Sequence, residues 1–234
     1  MERPDLTQIP VEVADYIRYL EAQLQEQAPA AASIPEPSEP ETTVQLITIS
    51  RQGQAKRTPR HFYGRQRRGG MGVFDLMVAE DDAPALLALA DAGDRLLLFS
   101  DLGRGFRIEV SALPEGEVRA RGISLHTLLP LLDGERIVAA LPARGGAHAI
   151  LVSERGWVRR IRSSFFAGAL IPGTSYHEPD SGGPLAAACW APGDADLFIV
   201  TRQGMAIRFS ETQVSGRTGA LGLRVAPDDA VVGV

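Results

Sequence analysis

The residues best suited to chemistry are seven basic side chains within positions 42–74, a stretch that contains no aspartate or glutamate. They are Arg51, Lys56, Arg57, Arg60, Arg65, Arg67 and Arg68. Guanidinium groups bind phosphate oxygens in bidentate pairs, and an ammonium group binds them as a point charge. The chemistry indicated is non-covalent binding of a polyanion, with a solvated basic face as the alternative.

The charge of the whole chain hides this stretch. The net charge is −5 and the isoelectric point is about 5.4, which by itself argues against a nucleic-acid-binding protein. Residues 1–41 carry −7, residues 42–74 carry +7 and residues 75–234 carry −5. The acidic net charge therefore does not exclude DNA binding, but it predicts that the contact with DNA is local to the basic stretch.

Residues 66–72, of sequence Gln-Arg-Arg-Gly-Gly-Met-Gly, concentrate the features of a phosphate site. Gly69, Gly70 and Gly72 let the backbone approach a polyanion and present its N–H groups. Arg67 and Arg68 add charge, and Gln66 is suited to bonding either phosphate or nearby backbone. Such a set binds DNA without reading its sequence. The alternative is a tight structural loop that closes the fold, and the two roles are compatible.

A repeat predicts the elements that hold these residues. Four copies of an apolar strand end in Ser or Thr, continue through two residues to a glycine, and enter a second strand. The pattern predicts four β-hairpins, in which glycine supplies a positive φ and the hydroxyl bonds the turn backbone. Four residues after the glycines stand Arg57, Arg107, Arg160 and Arg208. These arginines, with Arg159, either extend a basic path between repeats or pair with neighbouring carboxylates.

A second recurring element is an acidic turn followed by an apolar strand. It occurs at 80–90, 132–142 and 227–234, with a degenerate copy within 181–191. The final strand, Val231–Val234, is expected to complete the first repeat and close a ring without free edges, unless the array is a truncated longer one. The prediction is an all-β, propeller-like β-pinwheel of about four blades over 44–234, with repeats near 44–79, 80–131, 132–180 and 181–234.

Residues 1–27 are predicted to form a short amphipathic helix that precedes the repeats. Val13, Ile17, Leu20 and Leu24 share one stripe of it. This stripe packs either on its own domain or on a partner protein. Residues 28–43 are rich in Pro, Ala and Glu and are expected to be a disordered, extended linker.

The heptad at 66–72 and the hairpin repeat together resemble the C-terminal β-pinwheel domain of gyrase A and its topoisomerase IV counterpart. The family sequence is Gln-(Arg/Lys)-Arg-Gly-Gly-(Arg/Lys)-Gly, and only Met71 departs from it. The flanks 50–59, 128–142, 204–209 and 216–225 also resemble family members, so the likeness covers about four-fifths of the chain. It implies that duplex DNA bends around the outer rim. The residues themselves suggest as DNA contacts the seven basic residues of 42–74, the three glycines and Gln66, and, if the basic path extends between repeats, Arg107, Arg159, Arg160 and Arg208.

Other function classes lack their residues. The chain has no P-loop, no segment long enough before residue 44 for a DNA-cleavage core, and a single cysteine, Cys189. Four scattered histidines predict no metal site, and no cofactor is expected. No membrane span or signal peptide is visible, which favours a cytoplasmic, nucleoid-associated protein.

The leading hypothesis is a non-catalytic DNA-binding ring. It is either accessory to a type II topoisomerase, whose core the helix would reach, or architectural. The alternative is a protein-interaction scaffold that no longer wraps DNA.

Overall fold

The computed structural model describes residues 10–11, 13–17, 19 and 39–234. Residues 11, 13–17 and 19 are helical, and the N–H groups of Val13 and Ala14 bond to the carbonyl of Pro10 at 2.9 and 3.0 Å. The rest of the predicted helix and residues 28–38 of the predicted linker lie outside the described residues. Between 39 and 234 the one α-helical segment is Pro179–Gly182, so the prediction of an all-β fold is confirmed.

Fifteen strands follow one another along the described chain. In order they are β1 Val44–Ser50, β2 Gln54–Pro59, β3 Pro84–Asp91, β4 Arg95–Ser100, β5 Arg104–Glu109, β6 Ile123–Ser124, β7 Ile137–Pro142, β8 His148–Ser153, β9 Trp157–Arg162, β10 Thr174–Ser175, β11 Leu185–Ala191, β12 Asp196–Thr201, β13 Ala206–Ser210, β14 Ala220–Leu221 and β15 Val231–Gly233.

The strands form four small antiparallel sheets, the four blades of the propeller. The sheet orders are β3-β1-β2-β6, β7-β4-β5-β10, β11-β8-β9-β14 and β15-β12-β13. Each blade is built on one hairpin, and the strand that follows the next acidic turn, β3, β7, β11 or β15, becomes its inner strand. In the first three blades a two-residue outer strand arrives from beyond the following hairpin. The repeat blocks 80–131, 132–180 and 181–234 therefore each combine strands of two blades, which interlocks neighbouring blades.

The four hairpin turns have the predicted construction. Their glycines, Gly53, Gly103, Gly156 and Gly204, have φ of 83°, 73°, 83° and 85°. The hydroxyl before each turn accepts an N–H four residues later at 2.9–3.2 Å; the acceptors are Ser50, Ser100, Ser153 and Thr201. The motif therefore fixes where the chain reverses direction in each hairpin. This is why the hairpins could be predicted from the sequence.

The core consists of three apolar clusters, each between two consecutive blades. In β4, Leu96 and Leu98 pack towards the first blade, whereas Leu97 and Phe99 pack towards the third. Alternate residues of a strand point to opposite faces, so a strand between two blades is apolar throughout. The inner strands are rich in alanine and surround a cavity of about 570 Å3. No helix within the described part of the chain is long and apolar enough to cross a membrane.

The expectation for the last strand was wrong. Val231 pairs with Thr201 and Gly233 with Val200, so β15 is the inner strand of the fourth blade and does not complete the first. The reason is the connectivity, because every acidic-turn strand pairs with the first strand of the hairpin that precedes it in sequence.

Candidate nucleic-acid interface

The predicted phosphate-binding residues lie in a loop of the first blade, residues 64–74, here called the basic loop. The chain leaves β2 through a single turn of 3-10 helix, Arg60–Phe62, and residues 65–72 are all exposed. Leu76, just beyond the loop, is fully buried. The basic loop is therefore a protrusion whose far end is fixed in the body of the blade.

Asp75 ties the two ends of the basic loop together. Its carboxylate accepts hydrogen bonds from Thr48 Oγ1 at 2.6 Å, from Lys56 Nζ at 3.0 Å and from the hydroxyl of Tyr63. Burial, reinforced by the carboxylate of Asp75, raises the pKa of Tyr63 above its ordinary value, so this phenol stays protonated and remains a donor at neutral pH. The loop is consequently positioned by strands β1 and β2.

Lys56 is a correction to the predicted DNA contacts. Its side chain is fully buried, and its ammonium group donates to Asp75 and, at 2.8 Å, to the carbonyl oxygen of Glu117. A lysine inside a blade cannot reach a phosphate in solution. The residue pattern of β2 did not decide whether Lys56 faces solvent or the interior of the blade. Asp75 and the segment of Gly116 and Glu117 cover this face of β2 and make it an interior one.

Two internal hydrogen bonds shape the tip of the basic loop. The N–H of Gly70 bonds to the carbonyl of Arg67 at 3.0 Å, and the N–H of Gly72 bonds to Gln66 Oε1 at 3.0 Å. Gly69 has a φ of 80°, as a type II turn requires at its third residue. Of the two roles predicted for Gln66, the structure shows the bond to backbone.

Arg67 and Arg68 are the exposed charges at this tip. Within the described residues, neither guanidinium group has a hydrogen-bond or ion-pair partner, and Arg65 beside them is also exposed. Because no carboxylate of the described residues holds them, both groups can contact phosphate oxygens. The basic loop thus combines the exposed Arg67 and Arg68 with a backbone that its own hydrogen bonds keep in one shape.

The other basic residues of 42–74 are directed elsewhere. Arg51 lies at the first hairpin turn and lines the central cavity. Arg57 donates to the carbonyl of Leu113 at 3.0 Å and pairs with Glu115. Arg60 forms a bidentate pair with Glu39, at 2.9 and 3.3 Å. The structure therefore does not bring all seven charges to one surface.

The recurring arginines link consecutive blades. Arg107 donates to the carbonyl of Phe166 at 3.0 Å, and Arg160 donates to the carbonyl of Gly193 at 3.3 Å. Nε of Arg160 also lies 3.3 Å from an oxygen of Glu211, which is fully buried. Each contact joins the second hairpin strand of one blade to a segment that adjoins the hairpin of the following blade. Arg208, in the fourth blade, pairs instead with the exposed Asp196 on its own hairpin.

Arg159 lies apart from the basic loop, in a cleft of about 860 Å3 in the third blade that Arg162 and Arg217 also line. The sequence did not predict Arg162 or Arg217 as site residues, nor Tyr63 and Asp75 as the residues that hold the basic loop. Asp75 carried a usable signal, because it is the acid that ends the acid-free stretch. No group of three or more His, Cys, Asp or Glu residues in the described part of the chain is arranged to hold a metal ion.

The chain matches a protein family described as the DNA gyrase C-terminal domain, beta-propeller. The match covers residues 45–83, 94–144 and 195–234. These segments make up more than half of the chain. The chain belongs to this family. The first matched segment contains the whole basic loop, and the resemblance inferred from residues 66–72 is confirmed. The similarity is to the C-terminal, non-catalytic domain of gyrase A.

Relatives in this family are much longer gyrase A proteins. Gyrase A of Salmonella typhimurium is 33% identical over 194 residues, which cover 80% of this chain and 22% of that protein. Gyrase A of Escherichia coli is 31% identical over the same length. The chain thus spans about a fifth of the length of these curated relatives.

Solved structures of the gyrase C-terminal family share the fold. The DNA gyrase A C-terminal domain superposes with a TM-score of 0.65 at 18% identity, covering 83% of this chain and 66% of that one. The C-terminal domain of DNA topoisomerase IV gives 0.61 at 23% identity, covering 81% and 59%. At these identities the likeness establishes the fold alone.

Proposed function

We propose that this chain binds duplex DNA without sequence preference and bends it, as a non-catalytic module of DNA topology. The observation that supports it most is the tip of the basic loop, where Arg67 and Arg68 are exposed and have no partner among the described residues. Duplex DNA is a dense array of phosphates, and arginines that neutralise them release bound counterions. Contacts to phosphate carry no sequence information, so binding is general.

The relatives favour this role over other polyanion-binding roles. They are named as gyrase A proteins, that is, as part of a DNA gyrase, and the part they share with this chain includes the basic loop. We infer that the chain acts as an accessory to a type II topoisomerase or as an architectural protein, in the cytoplasm and at the nucleoid. Residues 75–234 carry a net charge of −5, so the contact with DNA is local to the basic loop and its neighbours.

The experiment is equilibrium binding of the whole chain to short duplexes of unrelated sequence at low salt. The double variant Arg67→Ala/Arg68→Ala is expected to weaken binding equally for every duplex, by about tenfold or more, since each phosphate contact contributes to affinity.

The matched control is Arg202→Ala/Arg224→Ala, which removes the same charge from two exposed arginines at the other end of the described chain. It should retain most of the affinity. The proposal is wrong if the wild-type chain does not bind duplex DNA at low salt, or if the two double variants lose affinity equally.

A second role, protein docking, is favoured by the helical residues near the N-terminus. Val13, Tyr16 and Tyr19 are 47%, 60% and 57% exposed, a large apolar surface for so short a segment. We infer that this surface binds a topoisomerase core. Co-elution of the chain with purified gyrase A cleavage core should be lost in Val13→Asp/Tyr16→Asp, whereas DNA binding should persist. Failure of the wild-type chain to co-elute would contradict the inference.

A further inference from the structure

Met71 is an unexplained feature at the tip of the basic loop. Its side chain is 92% exposed, the highest value for any large apolar side chain among the described residues. Phe74 and Met77 follow it at 56% and 46% exposed. Large apolar side chains that stay exposed near one another are a feature of interaction sites.

The loop holds Met71 outward. The hydrogen bond between Gln66 Oε1 and the N–H of Gly72 closes the segment that carries Met71. The turn bond between Arg67 and Gly70 stiffens its other side. A Cβ atom at Gly70 would lie 2.9 Å from Gln66 Oε1 and 3.1 Å from the carbonyl oxygen of Arg67, so a larger residue there would displace the Gln66 side chain that closes the segment. Met71 is therefore presented on a preformed tip that does not fold back onto the blade.

The neighbours of Met71 indicate what covers it. Both flanking residues are glycines, so the backbone at the tip is narrow, and space around Gly69 and Gly72 is open. Arg67 and Arg68, a few residues away, supply positive charge without a partner among the described residues. An apolar side chain on a narrow tip beside exposed arginines is complementary to a DNA groove, whose walls carry phosphate and where the apolar faces of the base pairs become accessible when a step opens.

We propose that Met71 is a wedge that enters the minor groove of the bound DNA and inserts between two base pairs. This contact rests on the DNA binding proposed above and explains how that binding bends DNA. Apolar wedges unstack a base step and kink the duplex towards the major groove. Methionine suits the task because its side chain is unbranched and its sulfur is polarisable.

The wedge gives a modest preference for flexible sites. Pyrimidine–purine steps such as TA unstack at lower cost than other steps, so a wedge occupies them first. The arginines tolerate every sequence, and Met71 selects the step within the bound stretch. Affinity therefore depends little on sequence, and the kink falls preferentially at the flexible steps of the bound stretch.

The test uses the whole chain and a short duplex in which 2-aminopurine replaces adenine at successive TA steps. The fluorescence of this base rises when it unstacks. Saturating wild-type chain is expected to raise the fluorescence, and Met71→Ala to abolish the rise while keeping affinity within about tenfold, because arginine contacts supply most of the binding free energy. Met71→Arg is expected to abolish the rise yet steepen the salt dependence by about one phosphate contact.

Met205→Ala is the matched control, since Met205 is 63% exposed on a turn of the fourth blade, and it should behave as the wild type. Met71 is not a wedge if the wild-type chain binds without a rise in fluorescence, or if Met71→Ala retains the rise; DNA binding itself would then stand. Absence of binding by the wild-type chain at low salt would overturn both proposals.

Discussion

Lys56 and Arg67 are both basic and belong to the same acid-free stretch, yet the fold uses them in opposite ways. Lys56 is buried against Asp75 and holds the basic loop, whereas Arg67 stands exposed on it. Sequence identifies the charge of each residue. It does not identify what packs over a strand, and Lys56 is covered by Asp75, the residue just after the acid-free stretch, and by the segment of Gly116 and Glu117.

Replacing Lys56 by alanine should destabilise the protein by about 3 kcal/mol, because a nearly buried carboxylate at Asp75 loses its cation. Urea unfolding measures the loss. The control is Arg95→Ala, whose ion pair with Glu109 is about half exposed at both ends and should be worth at most about 1 kcal/mol. Equal effects of the two changes would contradict an anchoring role for Lys56.

Gly70→Ala tests whether the shape of the basic loop matters for binding. The new Cβ would lie 2.9 Å from Gln66 Oε1 and 3.1 Å from the carbonyl oxygen of Arg67, so the Gln66 side chain has to move and its bond to the N–H of Gly72 is perturbed. We expect DNA affinity to fall by about tenfold or more, as preformed phosphate sites depend on geometry, with little change in the unfolding midpoint. Gly168→Ala has open space and no positive φ, and it should alter neither quantity.

His148 predicts a pH dependence of stability. Burial, followed by the charge of Arg160, lowers its pKa below the ordinary 6.5, although Glu211 opposes this shift. Below that pH the unfolded chain takes up a proton that the folded chain resists, so stability falls as pH falls. His148→Gln removes this contribution. Between pH 7.5 and 5.5 the variant should lose less unfolding free energy than the wild type; an equal or larger loss would contradict this account.

At the scale of the elements, the sequence predicted the hairpins because each turn is decided locally. A hydroxyl and a glycine three residues apart are sufficient, and Ser50 with Gly53 shows both predicted features. Pairing between blades was not predictable in the same way. The outer strands, such as Ile123–Ser124, are two residues long, and a segment that short carries no alternation of apolar residues.

The recurring arginines occupy equivalent positions in their blades but have different surroundings. Their substitutions should therefore have different effects on stability. Arg160→Ala leaves the fully buried Glu211 without its cation and should cost about 3 kcal/mol of stability. Arg208→Ala breaks an exposed pair with Asp196 and should cost at most about 1 kcal/mol. Urea unfolding of both variants decides the matter, and equal losses would show that the blade-to-blade contact of Arg160 is not structural.

At the scale of the whole molecule, interlocked blades explain how an acidic protein can present a basic site. Three apolar clusters bind the four blades together, so the rim needs no particular charge for stability. The basic loop projects from one blade and is fixed by its own network at Asp75. The family resemblance was readable from residues 66–72 because that heptad is local, whereas the dispersal of the seven basic residues depends on the three-dimensional arrangement of the strands.

The salt dependence of DNA binding tests the central claim most directly. Affinity of the wild-type chain for a short duplex would be measured over a series of salt concentrations, beside Arg67→Ala/Arg68→Ala. If both arginines hold phosphates, the slope of the logarithm of affinity against the logarithm of salt concentration should become shallower by about two in the variant. An unchanged slope, or a wild-type chain that does not bind at low salt, would contradict the account.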